Sequence, residues 1–282
     1  MTDLIIYDLR YHLYVHHPDA ANGAPLVLLH GFTGSGAEWD EFARGTGRTL
    51  IAPDLMGHGA THAPADPQRY AMDRAAADVA ELIRQMSAEP VHLLGYSMGG
   101  RLALYIALAY PELLRSLTLE SASPGLMTRA ERAARRASDS KLADAIEQDG
   151  VPQFVTRWER IPLFASQARL SMTTCKVLRA RRLANQAMGL ANSLRGMGTG
   201  SQPSLWPRLA ELALPALLIT GAEDEKFRAI NRQMADRMPQ AQLVVVGAAG
   251  HAVHLEQPER FRQTVLEFVA DHDPDRSETP DT

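Results

Sequence analysis

The chain has 282 residues, 45% hydrophobic and 22% charged, which is the balance of an ordinary globular protein and enough length for one α/β domain carrying an insertion. No apolar run approaches the ~20 residues that span a bilayer, and the N-terminus lacks the basic flank and apolar stretch of a signal peptide, so no stable membrane insertion and a cytoplasmic setting are expected. The single cysteine, Cys175, excludes an internal disulfide, and a net charge of −4 argues against a nucleic-acid partner.

In chain order, Leu4 to Tyr7 and Tyr11 to His16 read as two short strands joined by a tight turn, the start of an antiparallel edge. Pro25 to His30 is a continuous apolar run, as in a strand covered on both faces. It opens into His30-Gly31-Phe32-Thr33-Gly34-Ser35-Gly36, too rich in glycine for regular structure. A second buried strand is expected at Arg48 to Pro53. A helix follows at Asp73 to Gln85, with Val79, Leu82, Ile83 and Met86 on one stripe. Val91 to Leu94 reads as the next strand and Arg101 to Tyr110 as a helix, followed by a strand at Leu114 to Glu120. Strand signals then vanish from Ala122 to Trp206, where charged helical segments alternate with breaks at Pro152, Pro162, Gly189 and Gly196. Parallel-sheet rhythm resumes with a strand at Leu214 to Gly221, a helix near Ala229 to Arg237, a strand at Gln242 to Val246 and a helix at Pro258 to Ala270. No repeat of fixed period is present.

Strands alternating with helices predict a mostly parallel central sheet with helices on both faces and an inserted helical lid. The expected division is core 1–121, lid 122–205, core 206–270, and a disordered tail 271–282, polar and without an apolar run. Between Arg129 and Arg195, 13 Lys and Arg stand against 6 Asp and Glu. Solvated helix faces account for most such charges, but a basic middle in an acidic chain also suits an anionic ligand.

Between the strand at Val91 and the helix at Arg101 lies Gly95-Tyr96-Ser97-Met98-Gly99, the Gly-x-Ser-x-Gly turn that lifts a serine hydroxyl above a sheet. A serine needs a histidine to take its proton, and the histidine a carboxylate to hold its tautomer. Asp224, just after the strand ending at Gly221, and His251, after the strand ending at Val246, complete the order Ser, acid, His, each where a strand ends. Glu223 and Glu120 are rival acids, and His254 is the rival base. Two backbone N–H groups are needed to hold a developing oxyanion: Met98, after the serine, and Phe32, in the glycine-rich loop. Without a Cys/His cluster or a His-Glu-x-x-His motif, no metal is expected.

These pieces resemble the α/β-hydrolase family across almost the whole chain. A narrower resemblance is carried by Gly95-Tyr96-Ser97-Met98-Gly99-Gly100-Arg101, Glu120-Ser121-Ala122-Ser123-Pro124-Gly125-Leu126, the Gly198 to Trp206 stretch, and Gly221-Ala222-Glu223-Asp224-Glu225-Lys226-Phe227. It is to the 2-succinyl-6-hydroxy-2,4-cyclohexadiene-1-carboxylate synthases of menaquinone biosynthesis. The resemblance implies a lyase that eliminates pyruvate from a cyclohexene tricarboxylate. Ser97, activated by His251 and Asp224, would be a base, and no cofactor would be needed. It further implies that Arg101, Arg135 and Arg195 bind carboxylates, with Arg132 and Arg136 as neighbours of Arg135 to be told apart, and that Tyr96 and Trp158 line the pocket. A monomer or small homo-oligomer is expected. The motifs leave two other readings open: a serine hydrolase with Ser97 as nucleophile, and a ligand-binding module that has kept the fold.

Overall fold

Apolar runs bounded by turn residues become the strands of one sheet in the computed structural model, which describes residues 1–18 and 21–273. The strands are β1 (Thr2–Ile6), β2 (Leu9–His16), β3 (Leu26–Leu29), β4 (Leu50–Pro53), β5 (Val91–Tyr96), β6 (Leu114–Glu120), β7 (Ala216–Gly221) and β8 (Ala241–Val246). Their order is β1-β2-β4-β3-β5-β6-β7-β8. β1 pairs with β2, and β2 with β4, antiparallel; every later pairing is parallel. β3, β4, β5 and β7 are buried at every position, whereas β8, at the edge, alternates between partly buried and exposed residues over much of its length.

Side chains alternate across the pleat and so feed two cores. Val27 and Leu29 join one cluster with Val79, Leu82, Ile83 and Leu102; Leu26 and Leu28 join another with Trp39, Phe42, Phe261 and Val265. The helices supplying these layers are α1 (Asp40–Ala43), α2 (Met72–Met86), α3 (Met98–Ala109), α7 (Glu225–Ala235), α8 (Val253–Glu256) and α9 (Pro258–Ala270). Two of them begin earlier than their apolar periodicity suggests. α3 starts inside the Gly-x-Ser-x-Gly turn itself. In α7 the charged residues Glu225, Lys226 and Arg228 around Phe227 hide the first turn from a pattern reading, but Asp224 caps it by accepting from Phe227 N–H at 3.1 Å.

Between β6 and β7 lie α4 (Arg129–Trp158), α5 (Met172–Leu183) and α6 (Ala187–Met197), with no strand among the described residues there. Thr128 and Glu131 form a capping box at the start of α4, and Gly150 (φ +80°) with Pro152 kinks it. Gly189 and Gly196, expected as breaks, instead sit inside α6. A Cβ on Gly189 would lie 2.2 Å from the Gly57 carbonyl oxygen, and one on Gly196 would lie 2.5 Å from Tyr70 Cβ. These glycines let α6 press against the core.

The tail expected to be disordered from Asp271 is partly corrected. Asp271 ends α9, and the Asp273 carboxylate accepts from Ala24 N–H (2.9 Å), Arg48 Nη1 (2.9 Å) and His92 Nε2 (3.2 Å), and also pairs with Arg48 Nη2. Helix α9 delivers the carboxylate to a buried cation, a partner that composition does not reveal. The remainder of that tail lies outside the described residues. Ala24, Arg48 and His92 sit at the N-terminal ends of β3, β4 and β5, away from the strand ends that carry the site.

Candidate active site

Strand order reverses around β3 and β5, since the chain leaves β3 toward β4 and leaves β5 toward β6. The crevice at the carboxyl ends of such strands is where open α/β sheets hold ligands. Ser97 follows β5 with φ +50° and ψ −103°, a backbone conformation held against its intrinsic cost by surrounding packing. That packing requires glycine: a Cβ on Gly99 would lie 2.4 Å from the Leu29 carbonyl oxygen and one on Gly95 would lie 2.4 Å from Gly99 O. The turn therefore sits directly against β3, next to the Phe32 loop.

Ser97 Oγ lies 3.0 Å from His251 Nε2, and His251 Nδ1 lies 2.7 Å from Asp224 Oδ2. A carboxylate only accepts, so His251 Nδ1–H donates to Asp224 and Nε2 is left to accept the serine proton. His251 is buried and Asp224 nearly so. The other Asp224 oxygen holds the first turn of α7, so one carboxylate aligns both the helix and the imidazole. The rivals are otherwise engaged. Glu223 is exposed and pairs with Arg169 at 2.9 Å. Glu120 accepts from His254 Nδ1 at 2.8 Å and from its backbone N–H at 3.0 Å. Burial works against a charge on His254, but Glu120 and Glu38 outweigh it and push its pKa up to about 10. His30 and His58 go the other way: burial lowers both, His58 to about 3. His30 accepts from Leu55 N–H through Nε2 (2.9 Å), leaving Nδ1 to donate to Gly31 O (2.8 Å).

A cavity of about 200 Å³ opens onto Ser97 and His251. Phe32 and Met98 line it, as do Tyr96 and Trp158. Met98 is the first residue of α3, where a backbone N–H has no acceptor within the helix. The Trp158 ring packs against Phe32, Phe154 and Phe164, and its buried Nε1–H has no hydrogen-bond partner among the described residues. Burial, then the charges of Glu120 and Glu38, hold the Tyr96 phenol well above its ordinary pKa, so it stays protonated.

Arg101 and Arg135 both line this cavity, and none of its lining residues is acidic. Arg101 Nη1 donates to Met197 O (2.8 Å) and Gln202 Oε1 (2.9 Å), both neutral. Burial and then repulsion from Arg135, against a smaller opposing effect of Asp139, bring its pKa down to about 10. Arg135 is tied through Nε to Asp139 at 2.7 Å. Arg136 instead donates to Gly200 O, and Arg132 to Leu126 O and Met127 O, so Arg135 is the one of these three that reaches the cavity.

Arg195 departs from expectation. Ser193 and Leu194 line the cavity, and the helical step of about 100° carries Arg195 off that face. It forks instead onto Glu147 (2.9 and 2.7 Å) and Asp144 (2.7 Å) of α4. Those carboxylates hold its pKa above the usual value. Three lining residues not singled out from the sequence are Ser121, Lys226 and Phe227. Ser121 Oγ is buried without a partner among the described residues, and the Phe227 ring packs on His251 at 4.6 Å. Phe227 and Lys226 follow Asp224 directly, and that adjacency was the available signal.

Fold and site define an α/β-hydrolase-type protein, and the alpha/beta hydrolase fold family matches residues 24–258. A putative 2-succinyl-6-hydroxy-2,4-cyclohexadiene-1-carboxylate synthase of Bacillus subtilis is 48% identical over 93% of this chain and 95% of its own length. The synthase of that name from Serratia proteamaculans is 32% identical over 86% of this chain and 92% of its own. The structure of MenH from S. aureus superposes with a TM-score of 0.87 at 32% identity, covering 93% of this chain and 98% of that one. The chain belongs to the 2-succinyl-6-hydroxy-2,4-cyclohexadiene-1-carboxylate synthase family within the α/β-hydrolase fold.

Proposed function

We propose that the protein is a carbon–oxygen lyase of menaquinone biosynthesis. It eliminates pyruvate from 2-succinyl-5-enolpyruvyl-6-hydroxy-3-cyclohexene-1-carboxylate to leave 2-succinyl-6-hydroxy-2,4-cyclohexadiene-1-carboxylate. The observation that carries this reading is the half-buried Arg101 guanidinium, without a carboxylate partner among the described residues, in the same cavity as Ser97. A neutral ester offers such a cation a carbonyl acceptor but no opposite charge, whereas a carboxylate engages it bidentately.

In this reading Ser97 Oγ takes the ring proton α to the succinyl ketone as His251 Nε2 takes the serine proton. Asp224 holds the imidazole in the tautomer that accepts and stabilises the imidazolium that results. The electron pair moves onto the ketone oxygen, where the Phe32 and Met98 N–H groups stabilise the enolate. Its return through the ring alkene breaks the carbon–oxygen bond, and pyruvate leaves as its enolate and is protonated. No covalent enzyme intermediate and no metal, nucleotide or other cofactor enters the sequence. The helices between β6 and β7 act as the lid over the substrate, at 122–205, and a cytoplasmic monomer or small homo-oligomer suffices.

The test is pyruvate release from the tricarboxylate by the purified chain without added metal or nucleotide, with Arg101→Ala measured on the tricarboxylate and on a small neutral ester. The expected result is release by the wild type and a loss in the variant confined to the tricarboxylate. Fast ester turnover without pyruvate, or equal losses on both substrates, overturns the reading in favour of a serine hydrolase.

A further inference from the structure

Lys226 stands at the second position of α7, two residues past the N-cap Asp224. A cation in the first turn of a helix opposes the helix dipole, so stability alone disfavours it there. Its ammonium has no ion pair or hydrogen bond among the described residues, and its one recorded contact is the Phe227 ring at 5.5 Å. Several basic residues of the neighbouring insertion are engaged with acids: Arg135 with Asp139, Arg157 with Asp149, Arg179 and Arg182 with Glu159, and Arg195 with Glu147. Lys226 is nevertheless a lining residue of the Ser97 cavity, with Arg101 and Arg135, and is exposed at its edge. The cavity therefore holds three cationic side chains and no acidic one, contributed by α3, α4 and α7.

We infer that Lys226 is the third carboxylate anchor of the site, so that Arg101, Arg135 and Lys226 together match the three carboxylates of the substrate. The inference rests on the tricarboxylate reading given above. A flexible ammonium at the open edge suits a carboxylate that arrives last, whereas the half-buried, doubly held Arg101 suits one that is fixed before chemistry. Lys226 is a binding residue in this scheme; it takes no part in proton transfer.

The experiment compares the wild type with Lys226→Gln and Lys226→Arg by pyruvate release, with melting temperatures alongside. Pyruvate release by the wild type tests the underlying reading, and the variants test the inference separately. Lys226→Gln is expected to raise KM about tenfold, the size of one charge-assisted hydrogen bond at a partly open site. Its kcat should stay within about twofold, its melting temperature should hold or rise slightly as the charge opposing the helix dipole is removed, and Lys226→Arg should recover most of the loss. The KM increase should shrink at high salt, because screening removes the same attraction from the wild type. A wild type that releases pyruvate beside a Lys226→Gln variant of unchanged KM overturns the inference. So does a loss confined to kcat, which would instead place the lysine's effect on the Phe227–His251 contact.

Discussion

The buried ion cluster beneath the site makes a pH-dependent contribution to stability whose sign is fixed by its charges. His254 is held between Glu120, whose carboxylate receives both its Nδ1–H and its backbone N–H, and Glu38, at 3.6 Å from Nε2. All three side chains are at most 8% exposed. The folded imidazole titrates at about 10, against 6.5 for its ordinary value. A group whose pKa rises on folding stabilises the native state fully below its unfolded pKa, and that stabilisation is lost as pH climbs through the folded one. The window is therefore pH 6.5 to 10, and the interval is worth about 5 kcal/mol. At about 2–4 °C per kcal/mol for a chain approaching this size, the melting temperature should fall by about 10 °C across it. Thermal unfolding followed by circular dichroism between pH 6.5 and 10 measures the fall. Other groups titrate in the same interval, so the comparison is with a Glu120→Gln/His254→Gln double variant, which keeps hydrogen-bonding capacity at both positions but not their charges. The variant's curve should be flatter by most of the 10 °C. Parallel curves for the two proteins would refute the cationic assignment of His254.

Arg195→Gln should leave KM for the tricarboxylate within about twofold of wild type and lower stability by about 1 kcal/mol, because the side chain ties α6 to α4 at a largely exposed ion pair. A tenfold rise in KM would return it to the binding site. Asp273→Ala leaves the buried Arg48 without its carboxylate and should cost about 2–3 kcal/mol in urea unfolding, with kcat unchanged because the cluster lies at the opposite strand ends from Ser97. An unchanged unfolding midpoint would show that α9 needs no such clamp.

The sheet, its helical layers and the Ser97–Asp224–His251 order were legible from the chain because each rests on a local signal. Apolar runs mark buried strands, 3.6-residue periodicity marks α2, and glycine at Gly95 and Gly99 marks a turn where no Cβ fits. What stayed hidden depends on which groups meet in space. Gly189 and Gly196 look like helix breakers until α6 is seen lying against Gly57 and Tyr70. Glu120 and Glu223 are plausible acids until one is found on His254 and the other on Arg169. The arginines show the division most clearly. Composition places an excess of positive charge between Arg129 and Arg195, and family motifs single out Arg101, Arg135 and Arg195. Only the packed structure shows that Asp144 and Glu147 hold Arg195 off the cavity, while Arg101 and Lys226, without an acidic partner among the described residues, line it beside Arg135, whose Nε alone is tied to Asp139. Local sequence sets the backbone geometry that raises the serine. The cations free to act beside it depend on pairing across the fold, because a charge is spent or available according to its neighbours in space.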